Sequence, residues 1–150
     1  SGDVSKLLGV FTPSDMNVWL DRNVYTDNLG DFSDQPGLVD MTVAAIDVLS
    51  QNENGFYLEV EAASVDKQMH PLDQERALSD LIEFDQAIAA AVAWAQENAP
   101  DTLIVITADH GHGYDVYGTV KVDEFNAAED DAGRRGAGGG SPPQAIERGA

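Results

Sequence analysis

The sequence predicts an α/β fold of three layers, in which a mostly parallel sheet is flanked by helices. Two apolar runs, residues 56–60 and 103–106, are typical of strands, and the second is apolar enough to be covered on both faces. A helical pattern at about 73–98 lies between them, and Pro100 marks its end. Strand, helix and strand in this order favour a right-handed unit with parallel strands.

The first third of the chain has weaker patterns than this central unit. Residues 7–11 (LLGVF) suit a short buried strand, and the polar and glycine residues of 28–36 indicate a loop. Pro36 and Gly37 then open a predicted helix whose apolar residues recur at helical spacing as far as Leu49, where turn residues end it.

The end of the chain has the weakest patterns. Residues 120–125 fit a strand or a turn, and residues 127–135 fit a short helix. The Gly/Pro-rich stretch that follows has the composition of a flexible tail. The sequence therefore predicts one domain over residues 1–135 and a flexible tail over 136–150.

Composition excludes several classes of function. The chain has 150 residues, with 8 basic and 27 acidic side chains, and its net charge of −19 disfavours nucleic acid and anionic membranes as partners. No apolar run is long enough to span a bilayer, and no targeting signal is visible at Ser1. Because the chain has no cysteine, any metal must be held by His, Asp and Glu.

Acidic residues and all three histidines lie in two clusters, each directly after a predicted strand. The clusters are Glu61, Asp66, Lys67 and His70 after the first strand, and Asp109, His110 and His112 after the second. Since ligands gather at the carboxyl ends of parallel strands, we expect the clusters to face each other across one sheet edge.

The residue types in these clusters suit divalent metals. Imidazole nitrogen with carboxylate oxygen suits zinc, whereas oxygen alone suits magnesium. Two such metals can together stabilise a phosphoryl transfer, and Lys67 adds a positive charge where a phosphate oxygen could lie. Taken singly, each residue is also typical of an acidic surface or a turn, so an α/β domain without a metal stays open as an alternative.

Three stretches of the sequence resemble the metal-binding half of the alkaline phosphatase family. They are GFYLEVEAASVDKQMH (55–70), LIEFDQAIAAAVAWAQE (81–97) and DTLIVITADHGHGYDVYG (101–118). The order and spacing of both clusters agree with that family, and the resemblance implies a partial alkaline-phosphatase-like fold.

The resemblance implies a set of metal ligands. Glu61 would bind magnesium, and Asp66 with His70 would bind one zinc ion. Asp109 with His110 would belong to a second zinc ion. Each zinc ion would then have two protein ligands, fewer than the three of a typical catalytic site.

The resemblance also implies a reaction, which is hydrolysis of phosphate monoesters through a phosphoserine. Lys67 matches a position that contacts phosphate through water, and His112 would orient a metal-binding carboxylate. The family's nucleophilic serine and its phosphate-binding arginine have no counterpart here. Ser14 is interpreted as a helix cap and Ser64 as a loop hydroxyl, and neither lies in a nucleophile elbow, so no catalytic residue is identified.

The sequence thus predicts a zinc- and magnesium-dependent phosphatase of phosphate monoesters. The alternative is an inactive metal-binding fragment that lacks the half with the nucleophile. By resemblance, the full-length protein is expected to be a homodimer in the periplasm or outside the cell.

Overall fold

The computed structural model describes residues 4–113 of the chain. The chain divides into two compact units, Ser1–Thr107 and Ala108–Ala150. The first unit contains a 3₁₀ turn and four α-helices, which are α1 (Trp19–Asn23), α2 (Leu38–Leu49), α3 (Ala63–Met69) and α4 (Gln74–Asn98). The predicted elements at 120–125 and 127–135, the domain boundary at 135 and the predicted tail lie outside the described residues.

The prediction of a mostly parallel sheet is wrong, because residues 4–113 contain no strand. The three segments expected to be strands are irregular, and most of their large apolar side chains are exposed. Leu8 is 87% exposed, Tyr57 80% and Leu103 85%. β-forming side chains fit a pleated surface, but a strand exists only where a neighbouring segment shares its backbone hydrogen bonds. No such neighbour occurs among the described residues, so the three layers and the parallel unit are absent there.

The helices predicted at 38–49 and 73–98 are confirmed by α2 and α4. α4 begins after Asp73, whose Oδ1 accepts the backbone N–H of Arg76 at 3.2 Å and so satisfies one of the free donors of the first turn. Pro100, two residues beyond the end of α4, has no N–H to continue the helix. Within residues 4–113, no helix is both long and apolar enough to cross a membrane.

α4 is the centre of the first unit and packs against α1, α2 and α3. The spacing of the aliphatic residues in α4 predicts a buried face that contains Leu78, Leu81 and Ile82. All three side chains are exposed, so a different face of α4 is buried. The buried residues of α4 are Arg76, Ala77, Asp80, Glu83, Ala87 and Ala95. Small and charged side chains, rather than the large aliphatic ones, therefore form the contact between α4 and its neighbours.

Arg76 is buried between α1 and the start of α4. Its Nη2 donates to Asp21 Oδ1 at 2.8 Å, and its Nη1 donates to Asp73 Oδ2 at 2.7 Å. The guanidinium carbon also lies 5.7 Å from the centre of the Tyr25 ring. The hydrogen bonds to Asp21 raise the pKa of Arg76 above its ordinary value, so the side chain stays charged although it is buried.

Two buried carboxylates of α4 accept hydrogen bonds from the first turns of α1 and α2. Asp80 Oδ2 accepts the backbone N–H of Trp19 at 3.2 Å, and Glu83 Oε1 accepts that of Leu38 at 3.2 Å. The other oxygen of Glu83 forms an ion pair with Arg22. Because the first N–H groups of a helix have no partner within it, these carboxylates satisfy donors that would otherwise be buried unpaired.

Gly37 lies closely against one of these carboxylates. A Cβ atom on Gly37 would lie 2.7 Å from Glu83 Oε1 and 3.2 Å from Arg22 Nη1. Since Leu38 and Arg22 hold the Glu83 carboxylate, it cannot move away without losing a hydrogen bond. We expect Gly37→Ala to lower the free energy of unfolding by about 1–3 kcal/mol in urea denaturation. Gly30→Ala, which meets no atom within 4 Å, is the control, and equal losses in both variants would contradict this account.

Candidate functional site

The first cluster is built on α3, a helix that the sequence analysis did not predict. Asp66 and His70 lie one helical turn apart, and Asp66 Oδ2 is 3.3 Å from His70 Nε2. The His70 N–H also donates to the Asp66 carbonyl at 3.2 Å, which fixes the end of the helix. Both side chains reach solvent, at 32% exposure for Asp66 and 68% for His70. A carboxylate oxygen and an imidazole nitrogen are therefore held side by side at an accessible position.

The other two residues of this cluster, Glu61 and Lys67, line a cavity of about 190 Å³. Ser64, on the same helix as Lys67, also lines it. The buried Asp80 and Glu83 of α4 line it as well. The cavity therefore joins the predicted magnesium and phosphate residues to the buried polar contacts between the helices.

The charges around this cavity are partly balanced within the protein. Glu83 is neutralised by its ion pair with Arg22, which lines the same cavity. Burial raises the pKa of Asp80 from its ordinary 3.8 to about 6, while the hydrogen bond from the Trp19 N–H opposes this shift. Of the other charged residues that line the cavity, the acids Asp15, Glu61 and Asp80 outnumber the one base, Lys67, and this excess of negative charge favours a cation.

The second cluster belongs to the second unit and lies in an irregular segment, residues 108–113. Asp109 Oδ2 is 3.5 Å from His110 Nε2, and Asp109 Oδ1 accepts the His110 backbone N–H at 3.0 Å. The rings of His110 and His112 meet edge to face with their centres 5.7 Å apart. As in the first cluster, a carboxylate and an imidazole lie side by side, and both side chains are more than half exposed.

The sheet edge that was expected to carry both clusters does not exist among residues 4–113, because they form no sheet. The predicted loop position of Ser64 is also wrong, since it lies on α3. Sequence reasoning missed Arg22, Asp80 and Glu83 as cavity residues. Acidic side chains on an amphipathic helix are usually exposed to solvent, so the pattern alone contains no signal for their burial.

Comparison with known proteins identifies the family. The profile of the family described as alkaline phosphatase matches residues 1–134, which is most of the chain. The chain belongs to the alkaline phosphatase family. The resemblance stated from the sequence is therefore confirmed.

Curated alkaline phosphatases are similar over much of this chain. The human tissue-nonspecific isozyme is 40% identical over 110 residues, which is 73% of this chain and 19% of the human protein. Alkaline phosphatase H of Pseudomonas aeruginosa is 37% identical over 119 residues, 71% of this chain and 25% of that protein. Alkaline phosphatase 4 of Bacillus subtilis is 39% identical over 108 residues, 72% of this chain and 21% of that protein. The chain thus spans about a fifth to a quarter of these relatives, and no solved structure matches it.

Proposed function

We propose that this chain is the metal-binding part of a phosphatase that hydrolyses phosphate monoesters to an alcohol and inorganic phosphate. Membership of the alkaline phosphatase family supports the reaction. The observation that carries the proposal is the Asp66–His70 pair on α3, with Oδ2 and Nε2 3.3 Å apart. The pair coincides with the zinc ligands that the resemblance implies.

The donor atoms of both pairs fit zinc. Two ligands of a tetrahedral zinc ion, each bound at 2.0–2.1 Å, lie about 3.3 Å from each other. The Asp66–His70 separation is 3.3 Å, and the Asp109–His110 separation is 3.5 Å. Each pair offers one nitrogen and one oxygen, which is the combination that zinc accepts when no thiolate is present.

Magnesium fits the cavity beside the first pair. Glu61 offers a carboxylate there, and magnesium prefers oxygen ligands. The unbalanced negative charge of the cavity favours such a cation. Bound zinc and magnesium would act as Lewis acids that stabilise charge on the phosphoryl oxygens.

The chain's own residues have distinct tasks in this proposal. Lys67 supplies a positive charge in the cavity, where it would bind a phosphoryl oxygen and orient the substrate. His112, whose ring contacts that of His110, would orient a metal-binding carboxylate. No nucleophile is assigned, because the family's serine has no counterpart in this sequence. The second candidate function is a metal-binding chain without turnover, which the same two ligand pairs support.

The test combines zinc binding with hydrolysis of p-nitrophenyl phosphate at alkaline pH. The protein is produced in a host without its own alkaline phosphatase and is assayed with zinc, with magnesium and with a chelator. Asp66→Asn is expected to weaken zinc binding about tenfold to a hundredfold, because the pair then loses its charged ligand. Asp47→Asn, an exposed acid on α2, is the matched control and should bind zinc as the wild type does.

Each outcome decides between the candidates. A metal-dependent rate that Asp66→Asn reduces would support the phosphatase. Zinc binding without a rate would favour the metal-binding chain without turnover. A wild-type chain that binds zinc no better than Asp66→Asn would contradict both candidates. Homodimer formation and a location in the periplasm or outside the cell remain predictions from the resemblance.

A further inference from the structure

Ser64 and Lys67 lie three residues apart on α3, so their side chains occupy neighbouring positions on one face of this helix. Both residues line the cavity of about 190 Å³ that also contains Glu61. A hydroxyl group and an ammonium group therefore belong to the same cavity, next to the residue proposed to bind magnesium.

The donors of both side chains are unused within the described part of the chain. Neither the Ser64 hydroxyl nor the Lys67 ammonium has a hydrogen-bond or ion-pair partner among residues 4–113. Other helical hydroxyls in the first unit do have partners. Thr42 donates to the Leu38 carbonyl at 2.7 Å, and Ser79 donates to the Glu75 carbonyl at 2.8 Å.

The position of Ser64 explains this difference. The carbonyl four residues before Ser64 belongs to Val60, which precedes α3 and is not part of a helical turn. The hydroxyl is thus left available to a ligand. The Ser64 hydroxyl and the Lys67 ammonium thus both offer hydrogen-bond donors. Phosphate accepts several hydrogen bonds, so it is a suitable ligand for this pair.

The acidic residues of the cavity do not remove this preference. Glu83 is already neutralised by Arg22 and accepts the Leu38 N–H. Glu61 is assigned to the magnesium ion in the proposed function, and the two positive charges of that ion would balance Glu61 and Asp80. The charge of Lys67 offsets that of Asp15, the remaining acid of the lining. A phosphoryl group entering the cavity would then meet the two unused donors on α3.

We propose that Ser64 is a phosphate-binding residue, which donates a hydrogen bond to a phosphoryl oxygen of the substrate beside Lys67. This inference rests on the proposed function. The role is binding rather than covalent catalysis, since Ser64 keeps its proton and forms no bond to phosphorus.

The test measures the dissociation constant of inorganic phosphate for the chain loaded with zinc and magnesium, by isothermal titration calorimetry. Ser64→Ala is expected to weaken phosphate binding about tenfold, because a hydrogen bond to a charged acceptor is lost. Ser64→Thr keeps a hydroxyl and should restore most of the affinity. Ser79→Ala, which removes a helical hydroxyl outside the cavity, should bind phosphate as the wild type does.

Zinc affinity is measured on the same variants, since a merely structural role of Ser64 would lower both affinities. Weaker phosphate binding with unchanged zinc binding would support the inference. Equal phosphate binding by wild type and Ser64→Ala would overturn it and leave the proposed function intact. A loss of zinc binding in Ser64→Ala would also overturn it. A wild-type protein that binds zinc but no phosphate would overturn the inference together with the proposed phosphatase.

Discussion

Replacing Arg76 with alanine is expected to lower the free energy of unfolding by about 3–5 kcal/mol. The side chain is 6% exposed and forms ion pairs with Asp21 and Asp73 at 2.8 and 2.7 Å. Asp21 is itself buried, so the variant would leave its charge without a cationic partner in a poorly solvated position, although Asn28 Nδ2 still donates to Asp21 Oδ1 at 2.9 Å. Domains of this size are stabilised by only about 5–15 kcal/mol, so the loss would be a large part of the total.

A double-mutant cycle identifies the cause of this loss. Asp21→Asn in the Arg76→Ala background removes the uncompensated charge, and we expect it to recover part of the lost stability in urea denaturation. Gln86→Ala, at an exposed position of α4, is the control for substitution in the helix. The loss in free energy of unfolding caused by Asp21→Asn is also measured in the wild-type background. If Asp21→Asn causes the same loss in the Arg76→Ala background, the ion pair is not the cause.

Replacing Asp80 with asparagine is expected to stabilise the protein at neutral pH. Burial, the largest cause, raises the pKa of Asp80 from 3.8 to about 6, and the charge of Glu83 adds to the shift while that of Arg22 opposes it. The folded state therefore binds the proton more tightly than the unfolded state does. The contribution of Asp80 to the free energy of unfolding therefore falls as the pH rises from about 4 to about 6. The shift corresponds to about 3 kcal/mol at neutral pH, which is the upper limit of the gain expected from Asp80→Asn.

Thermal and urea unfolding as a function of pH would measure this effect. Asparagine keeps an acceptor for the Trp19 N–H but carries no charge. The free energy of unfolding of the variant should therefore lack the fall that Asp80 causes between about pH 4 and 6. Asp85→Asn removes an exposed acid from the same helix and should leave the slope unchanged. A variant Asp80→Asn that is less stable than wild type at neutral pH would show that the ionised carboxylate is needed.

The two longer helices, α2 and α4, were predictable because local signals specify them, whereas the short helices α1 and α3 were not predicted. α2 follows Pro36 and Gly37, and α4 begins at the Asp73 cap and ends before Pro100. The lack of a sheet in residues 4–113 was not predictable in the same way, because strand pairing depends on distant segments. Residues 103–106 have the composition of a covered strand, yet they have no strand partner in the described range.

The candidate site was predictable only in part, for a related reason. The resemblance predicted Asp66 and His70 as ligands of one metal ion, and Asp66 Oδ2 lies 3.3 Å from His70 Nε2. The contribution of Asp80 and Glu83 to the cavity depends on the packing of α1 and α2 against α4, which no local pattern encodes. Their partners, the backbone N–H groups of Trp19 and Leu38, are 61 and 45 residues away in sequence.

The exposed apolar segments of the first unit have a consequence for how the protein behaves in solution. Leu8, Tyr57 and Leu103 are at least 80% exposed on a chain whose net charge is −19. Charge repulsion keeps such copies apart at low ionic strength, but the screening length falls to about 8 Å in physiological salt. Strongly hydrated salts such as sulfate also strengthen contacts between apolar surfaces. Low ionic strength therefore favours dispersed single copies, and added salt shifts the protein towards association through these segments.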